Sequence, residues 1–364
     1  MKSSKRLLVA GGGTGGHILA GIAIADEWIR ALKAEGLKGK VLFVGAEQGL
    51  EARLVPKHGY PLKLLKIGPL NRVSIKTRLI TVLQLPFSFL RALFILLFFR
   101  PDAVIGVGGY ASGPVVLLAR LLSPVLKIKT AIIEQNSVAG FTNRMLGKRV
   151  HFVFCAFEAS GEKFEASKVR VTGNPIRSSL TRLPASSAEP FTLFVFGGSQ
   201  GAMGINTLML ESLPFLKSEN IRIIHQAGVK DYERVKAGYE RAGYPARVEK
   251  FIDDMASCYR EASLVICRAG ASSMTELASV GRAPIFIPLP TAADNHQEKN
   301  ARIYEQDQAA WVVAQGKITG EAFSRMILEL KQNPGRIHEV ETRIQKFYRS
   351  DSASLIVNTL RDPS

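Results

Sequence analysis

His17 ends a loop of five glycines in RLLVAGGGTGGH, directly after an apolar run. Glycine loops between a strand and a helix leave backbone N–H groups open to phosphate, because no side chain blocks the approach. An imidazole at the end of such a loop adds a group that can accept a proton near neutral pH. A helix N-terminus would favour its neutral form. Capping or packing at the helix start, or passive hydrogen bonding to a ligand, are the other roles open to it. Glu134, in EQN, closes a different apolar run and is the rival base.

A second loop, GVGGYASGP, runs from Gly106 to Pro114 and contains Gly108, Gly109, Tyr110, Ala111 and Ser112. Two phosphate-type loops in one half of the chain suit a ligand bearing a pyrophosphate. The third, GGSQGA (Gly197 to Ala202), opens a helix in the other half, where Ser199 can add a hydroxyl. Arg177, in GNPIR, stands at the junction and could reach a diphosphate or could be a solvated linker residue. Glu276, in ICRAGASSMTE, sits where a carboxylate could take both hydroxyls of a ribose, or could merely favour a helix start. PTAADNHQEKNA gathers Asp294, Asn295, His296, Gln297 and Asn300. Amides both donate to and accept from sugar hydroxyls, although a capping segment would look similar.

These side chains need elements to hold them. Apolar runs such as KVLFVG, AVIGVGG, KTAIIEQ, LVICRAG and APIFIPLP alternate with helical patterns in both halves. That alternation indicates parallel sheets covered on both faces, with ligands at the carboxyl ends of the strands. RSSLTRLPASSAEP, residues 177–190, reads as a linker. The expectation is two doubly wound α/β domains with a cleft between them, 1–176 and 177–337. Residues 321–332 and 336–360 look helical.

Charge is segregated. Residues 1–176 hold 25 Lys and Arg against 10 Asp and Glu, whereas 177–364 hold 23 against 21. The first half should therefore face something anionic. Residues 79–99 are apolar enough to suggest a membrane span. Pro86 and Arg91 interrupt them, and RPDAVIGVGG then resumes a strand, so a peripheral contact is the better reading. Residues 52–101 carry nine Lys or Arg, Arg72, Lys76 and Arg78 among them, and no Asp or Glu, as attachment to an anionic leaflet requires. Cys155, Cys258 and Cys267 form no CxxC pair, so neither a disulfide framework nor a zinc site is expected and a reducing cytoplasm fits. The first strand begins near Arg6, so no signal peptide is expected. No DxD occurs, and Asp253-Asp254 in FIDDM reads better as part of a base-side loop than as a metal site.

GGGTGGH, GVGGYASGP, EQN, GNPIR, GGSQGA, FIDDM, CRAGASSMTE and DNHQEKNA occur in the order seen in the MurG family, which the chain resembles along nearly its whole length. The resemblance implies the GT-B fold and an inverting glycosyltransferase. Such an enzyme moves GlcNAc from UDP-GlcNAc to the MurNAc 4-hydroxyl of lipid I, giving lipid II for peptidoglycan, and so serves cell-wall growth, shape and division. It implies a peripheral enzyme on the cytoplasmic face of the bacterial inner membrane. Its partners would be UDP-GlcNAc, lipid I, an anionic membrane surface and other cell-wall synthesis proteins, with no nucleic acid and no cofactor or metal required.

Carried over by motif, Thr14, Gly15 and Gly16 lie near the sugar, and Asn136 and Gln297 hold its hydroxyls. Arg177 and Ser199 hold the diphosphate. Ile252 reads uracil through its backbone. Ala271, Ser272, Ser273, Met274, Thr275 and Glu276 line the nucleotide. Gly108 to Ser112 would take the acceptor pyrophosphate, and His17 or Glu134 would be the base. The last helix, about 338–364, would return to the N-terminal domain. The chain departs from the family pattern at His296, where a glutamine is expected, and at Ser272-Ser273, where the family has Leu-Thr. A UDP-sugar epimerase would need no lipid acceptor. A nicotinamide dehydrogenase would leave GGSQGA and Glu276 idle, and its acidic residue about 20 positions after the first loop is missing, since Glu47 comes later. A nucleic-acid binder would want aromatics among its basic residues.

Overall fold

The structure is a computed structural model. It describes residues 4–47, 49–68, 74–176, 180, 182–185, 189–198 and 200–362, without the side chains of 75–78. Arg72, Arg177 and Ser199 lie outside the described residues, as do the side chains of Lys76 and Arg78. The chain divides into two compact units, Met1–Arg177 with Arg349–Ser364, and Ser178–Tyr348.

The first unit runs β1 (Ser4–Ala10), α1 (Gly15–Ala34), β2 (Lys38–Ala46), α2 (Glu51–Lys57), β3 (Leu62–Leu65), α3 (Ile75–Phe99), β4 (Ala103–Gly106), α4 (Ser112–Leu126), β5 (Lys129–Glu134), α5 (Phe141–Gly147), β6 (Phe152–Cys155), α6 (Glu158–Gly161) and β7 (Val169–Val171). Its sheet is parallel, in the order β3-β2-β1-β4-β5-β6-β7. Leu7 of β1 stands level with Val41 of β2 on one side and Ala103 of β4 on the other. Side chains alternate across a strand. Leu7 and Val9 therefore pack into one core with Ile22 and Trp28 of α1, while Leu8 and Ala10 pack into the opposite core with Leu96 of α3 and Val115 of α4. Both faces of β1 are covered, which explains its unbroken apolar run.

The second unit runs β8 (Phe191–Phe196), α7 (Met203–Leu216), β9 (Ile221–Gln226), α8 (Tyr232–Arg241), β10 (Ala246–Glu249), α9 (Met255–Glu261), β11 (Leu264–Cys267), α10 (Ala271–Val280), β12 (Pro284–Phe286), α11 (His296–Gln306), β13 (Trp311–Val312), α12 (Gly320–Gln332) and α13 (Pro334–Arg343). Its parallel sheet has the order β10-β9-β8-β11-β12-β13. The last helix, α14 (Ser352–Arg361), buries Ile356, Val357 and Leu360 in the first unit's core beside α1. The chain returns at Arg349 rather than at about 338. Pro334–Arg343 buries Ile337 and Val340 in the second unit, where Glu341 pairs with the buried Arg282.

α3 connects β3 on one edge of the sheet to β4 beyond β1. Thr81, Ser88, Ala92 and Leu96 face inward, 0–2% exposed. Leu79, Leu83, Phe87, Leu90, Phe94 and Phe98 form the opposite stripe, 51–81% exposed. Strands on both sides of this helix belong to one sheet, so it is an amphipathic crossover rather than a span. It ends where Arg100 turns left-handed at φ 48 before Pro101, which cannot continue a helix.

Candidate functional site

In each sheet the strand order reverses at one place, between β1 and β4 in the first unit and between β8 and β11 in the second. Loops at such a switch point diverge and leave a crevice for ligands. All three glycine loops and the CRAGASSMTE turn leave the sheets there.

In the first unit the two loops interlock. Gly12 N–H donates to the Gly108 carbonyl at 3.0 Å. A Cβ at Gly11 would lie 2.1 Å from the Gly108 oxygen, and one at Gly109 would lie 2.4 Å from the Gly12 oxygen. Only glycine permits this approach, and Gly11, Gly108 and Gly109 also have positive φ. The His17 ring lies over Gly108, whose absent Cβ would be 2.9 Å from Nε2. Nδ1 of His17 is 3.1 Å from the Gly12 carbonyl. A carbonyl can only accept, so Nδ1 carries the proton in the neutral ring and Nε2 is the accepting nitrogen.

The first loop differs from the phosphate cradle that its glycines suggest. Gly11 N–H bonds Val44 and Gly12 N–H bonds Gly108. Gly13 N–H donates at 3.0 Å to Oε2 of Glu51, a buried carboxylate that also accepts from Ala46 N–H at 2.7 Å. Thr14 caps α1 by accepting from His17 N–H at 3.4 Å. The first three N–H groups of the loop are thus engaged internally, while Gly13 and Thr14 are exposed and Gly15 and Gly16 half-buried. α4, by contrast, starts at Ser112 with no side-chain cap, and the Ser112 hydroxyl turns back to the Gly109 carbonyl. Gly113 N–H bonds the Tyr110 carbonyl at 3.3 Å and Pro114 carries no N–H, so donors for an anion at this end come from the loop residues before Gly113.

Glu134 is buried, 2% exposed, at the end of β5. One oxygen accepts from the Asn136 backbone (3.0 Å) and side chain (3.3 Å), the other from Gly140 N–H (2.9 Å) and Asn143 Nδ2 (2.8 Å). This carboxylate folds the 135–140 turn and so places Asn136.

In the second unit, α7 after GGSQGA and α10 after CRAG start at the switch-point loops, each with no side-chain cap among the described residues. Gln226, 3% exposed at the end of β9, bridges the neighbouring loops. Its Nε2 donates to the Gly198 carbonyl at 2.9 Å and its Oε1 accepts from Ile252 N–H at 2.8 Å. The Ile252 N–H is thereby engaged within the unit. Asp254 caps α9 by accepting from Ser257 N–H at 3.0 Å.

Glu276 lies in the second turn of α10, where the helix dipole is weak. It is 8% exposed and accepts from the hydroxyl of buried Tyr259 at 3.1 Å. Gln297, in the first turn of α11, accepts from Leu289 N–H at 2.9 Å through Oε1. His296 lies 2.7 Å from the Ala293 carbonyl and starts the helix. Arg268 is buried among the Ile287 and Pro288 carbonyls and Gln315, and burial pushes its guanidinium down to about 10. Among the described residues no three His, Cys, Asp or Glu side chains gather as a metal site would need.

Glu51, Gln226 and Tyr259 escaped the sequence reading. Gly13 lies 38 positions from Glu51, Gly198 and Ile252 lie 28 and 26 from Gln226, and Glu276 lies 17 from Tyr259, and no local pattern marks such contacts.

Residues 7–155 match the glycosyltransferase family 28 N-terminal domain, and residues 192–356 match the family 28 C-terminal domain. A relative from Myxococcus xanthus (strain DK1622) is 42% identical over 98% of this chain and 92% of its own length. It is named UDP-N-acetylglucosamine–N-acetylmuramyl-(pentapeptide) pyrophosphoryl-undecaprenol N-acetylglucosamine transferase. A protein of the same name from Anaeromyxobacter sp. (strain K) is 45% identical over 91% of this chain and 86% of its own. The crystal structure of Acinetobacter baumannii MurG superposes with a TM-score of 0.75 at 31% identity, covering 98% of this chain and 99% of that one.

Proposed function

This chain belongs to the MurG family of family 28 glycosyltransferases, and from that premise we infer how its residues divide the work of the reaction. The fold is GT-B, and the chain is a transferase that moves GlcNAc from UDP-GlcNAc to lipid I, giving lipid II. The observation that carries this is identity of 41–45% over 91–98% of the chain to relatives bearing that activity in their names.

We propose that the MurNAc 4-hydroxyl of lipid I attacks the anomeric carbon of GlcNAc from the face opposite UDP. The new C–O bond forms as the bond to the diphosphate breaks, and UDP leaves with the electron pair. The anomeric centre inverts. His17 Nε2 takes the hydroxyl proton, an assignment supported by the Nδ1 contact with Gly12. Glu134 is assigned a positioning part, because its two oxygens are already engaged by Asn136, Gly140 and Asn143. The diphosphate is stabilised by the N-termini of α7 and α10, with Ser199 and Arg177 contributing by motif. Glu276 takes the ribose, the Ile252 carbonyl meets uracil, and Asn136 and Gln297 hold sugar hydroxyls. The acceptor pyrophosphate lies on the Gly108–Ser112 loop at the start of α4.

We further propose a peripheral contact with an anionic leaflet through the exposed stripe of α3, extended by Leu121 and Val125 of α4, 66% and 81% exposed. Apolar side chains beside a basic segment are what such a contact requires. Radiolabelled UDP-GlcNAc supplied with a lipid I analogue tests the reaction. Label should pass to the lipid only when the acceptor is present. Epimerised sugar, or no transfer, would contradict the reading.

A further inference from the structure

The carboxylate of Glu51 has no part in the reaction as proposed, yet the switch point of the first unit is built around it. It is 1% exposed, at the first residue of α2. Its oxygens accept from Gly13 N–H in the glycine loop and from Ala46 N–H at the end of β2. Three glycines give it room. A Cβ at Gly12 would lie 2.4 Å from its side chain, one at Gly45 2.4 Å and one at Gly49 1.9 Å. A buried charge is costly unless hydrogen-bonded, and hydrogen bonds from N–H groups to a carboxylate are strong. Toward this loop Glu51 plays the part that a ligand phosphate plays in nucleotide-binding relatives of the fold.

We propose that Glu51 is a positioning residue: a resident anion that fixes the Gly11–Gly13 backbone, and through the Gly12 carbonyl sets the His17 ring for proton transfer. The inference rests on His17 being the base. The same carboxylate keeps free phosphate out of the first loop, which leaves phosphate binding in this unit to the start of α4.

The test compares Glu51→Ala, Glu51→Gln and His17→Ala in the full chain. Glu51→Ala should lower kcat about 10²-fold, the usual effect of a small misplacement of a catalytic group, with KM for UDP-GlcNAc nearly unchanged. Formate, which fits the vacated space and restores an anion, should recover at least tenfold of the loss in Glu51→Ala. It should do nothing for Glu51→Gln, whose side chain fills that space but turns an N–H₂ toward a backbone donor. In the double variant Glu51→Ala should cost nothing beyond His17→Ala. Retention of parental kcat by Glu51→Ala, equal loss of UDP-GlcNAc affinity, or indifference to formate would overturn the proposal. Should Glu51→Ala not fold, Glu51→Gln carries the same kcat and KM comparison, and a parental kcat there overturns it equally. Parental kcat in His17→Ala would instead defeat the assignment of the base.

Discussion

Replacing Gln226 with Met keeps the length of the side chain and removes both bridges between the Gly198 and Ile252 loops. The Gly198 carbonyl is half-buried and can turn toward water, whereas Ile252 is 4% exposed and its N–H would be stranded. A buried backbone group left without a partner costs about 1–3 kcal/mol. Counting one such group in full and the other in part gives about 2 kcal/mol. In the free variant the loops should relax apart to recover some of this, so UDP must pull them back into register on binding. The cost then appears as UDP affinity lowered by about 30-fold, with kcat at saturating donor within about threefold. Calorimetric titration with UDP, together with steady-state kinetics, measures both. Gln226→Glu keeps an acceptor for Ile252 but sets a carboxylate against the Gly198 carbonyl, and should bind UDP no better. A folded Met variant with parental UDP affinity would refute the bridging argument.

Glu276→Ala should weaken UDP binding at least tenfold and leave lipid acceptor KM unchanged. Tyr259→Phe, which removes the hydroxyl that orients Glu276, should show about a 2–10-fold version of the same effect, as one hydrogen bond allows. Changing Leu83, Phe87 and Phe98 to Ser should release the protein from anionic vesicles, since burying each side chain fully is worth about 1.5–3 kcal/mol. Transfer to a short-chain soluble acceptor should survive, and unchanged vesicle binding would count against the α3 stripe. His225 is fully buried between Tyr239 and Asn206, and desolvation pushes its imidazole down to about 3 from 6.5. The unfolded chain therefore binds the extra proton between those values. Its contribution to stability is complete above about pH 6.5 and is lost toward about pH 3, at up to about 1.4 kcal/mol per pH unit. Urea denaturation of His225→Gln across that window should show a flatter slope than the parent.

The sequence made the parallel sheets and their loops legible because both signals are local: an apolar strand covered on two faces, then glycines. It did not show what the N–H groups of the first loop meet. GGGTGGH looks the same whether its N–H groups meet a ligand or a carboxylate 38 residues on, and Glu51 itself reads as an ordinary acidic start to a helix. The apolar run at 79–99 hid its own amphipathicity, because its most apolar stripe, with Leu83, Phe87 and Phe98, faces outward while Thr81 and Ser88 are buried. Exposure, not composition, separates Leu96 from Phe98. The late return of the chain at Arg349 accompanies the packing of Ile337 and Val340 in the second unit and the pairing of Glu341 with Arg282, 59 residues away, which helical periodicity at 336–360 cannot reveal.

The account turns on His17 accepting the proton of the attacking hydroxyl. The pH dependence of kcat for His17→Ala, with saturating UDP-GlcNAc and a lipid I analogue, tests this most directly. The expected result is a fall in kcat of roughly 10²–10⁴, the usual worth of general acid–base catalysis, with UDP-GlcNAc binding little changed and the acidic limb of the profile flattened. A variant with parental kcat and the same acidic limb would contradict it and return the role of base to Glu134.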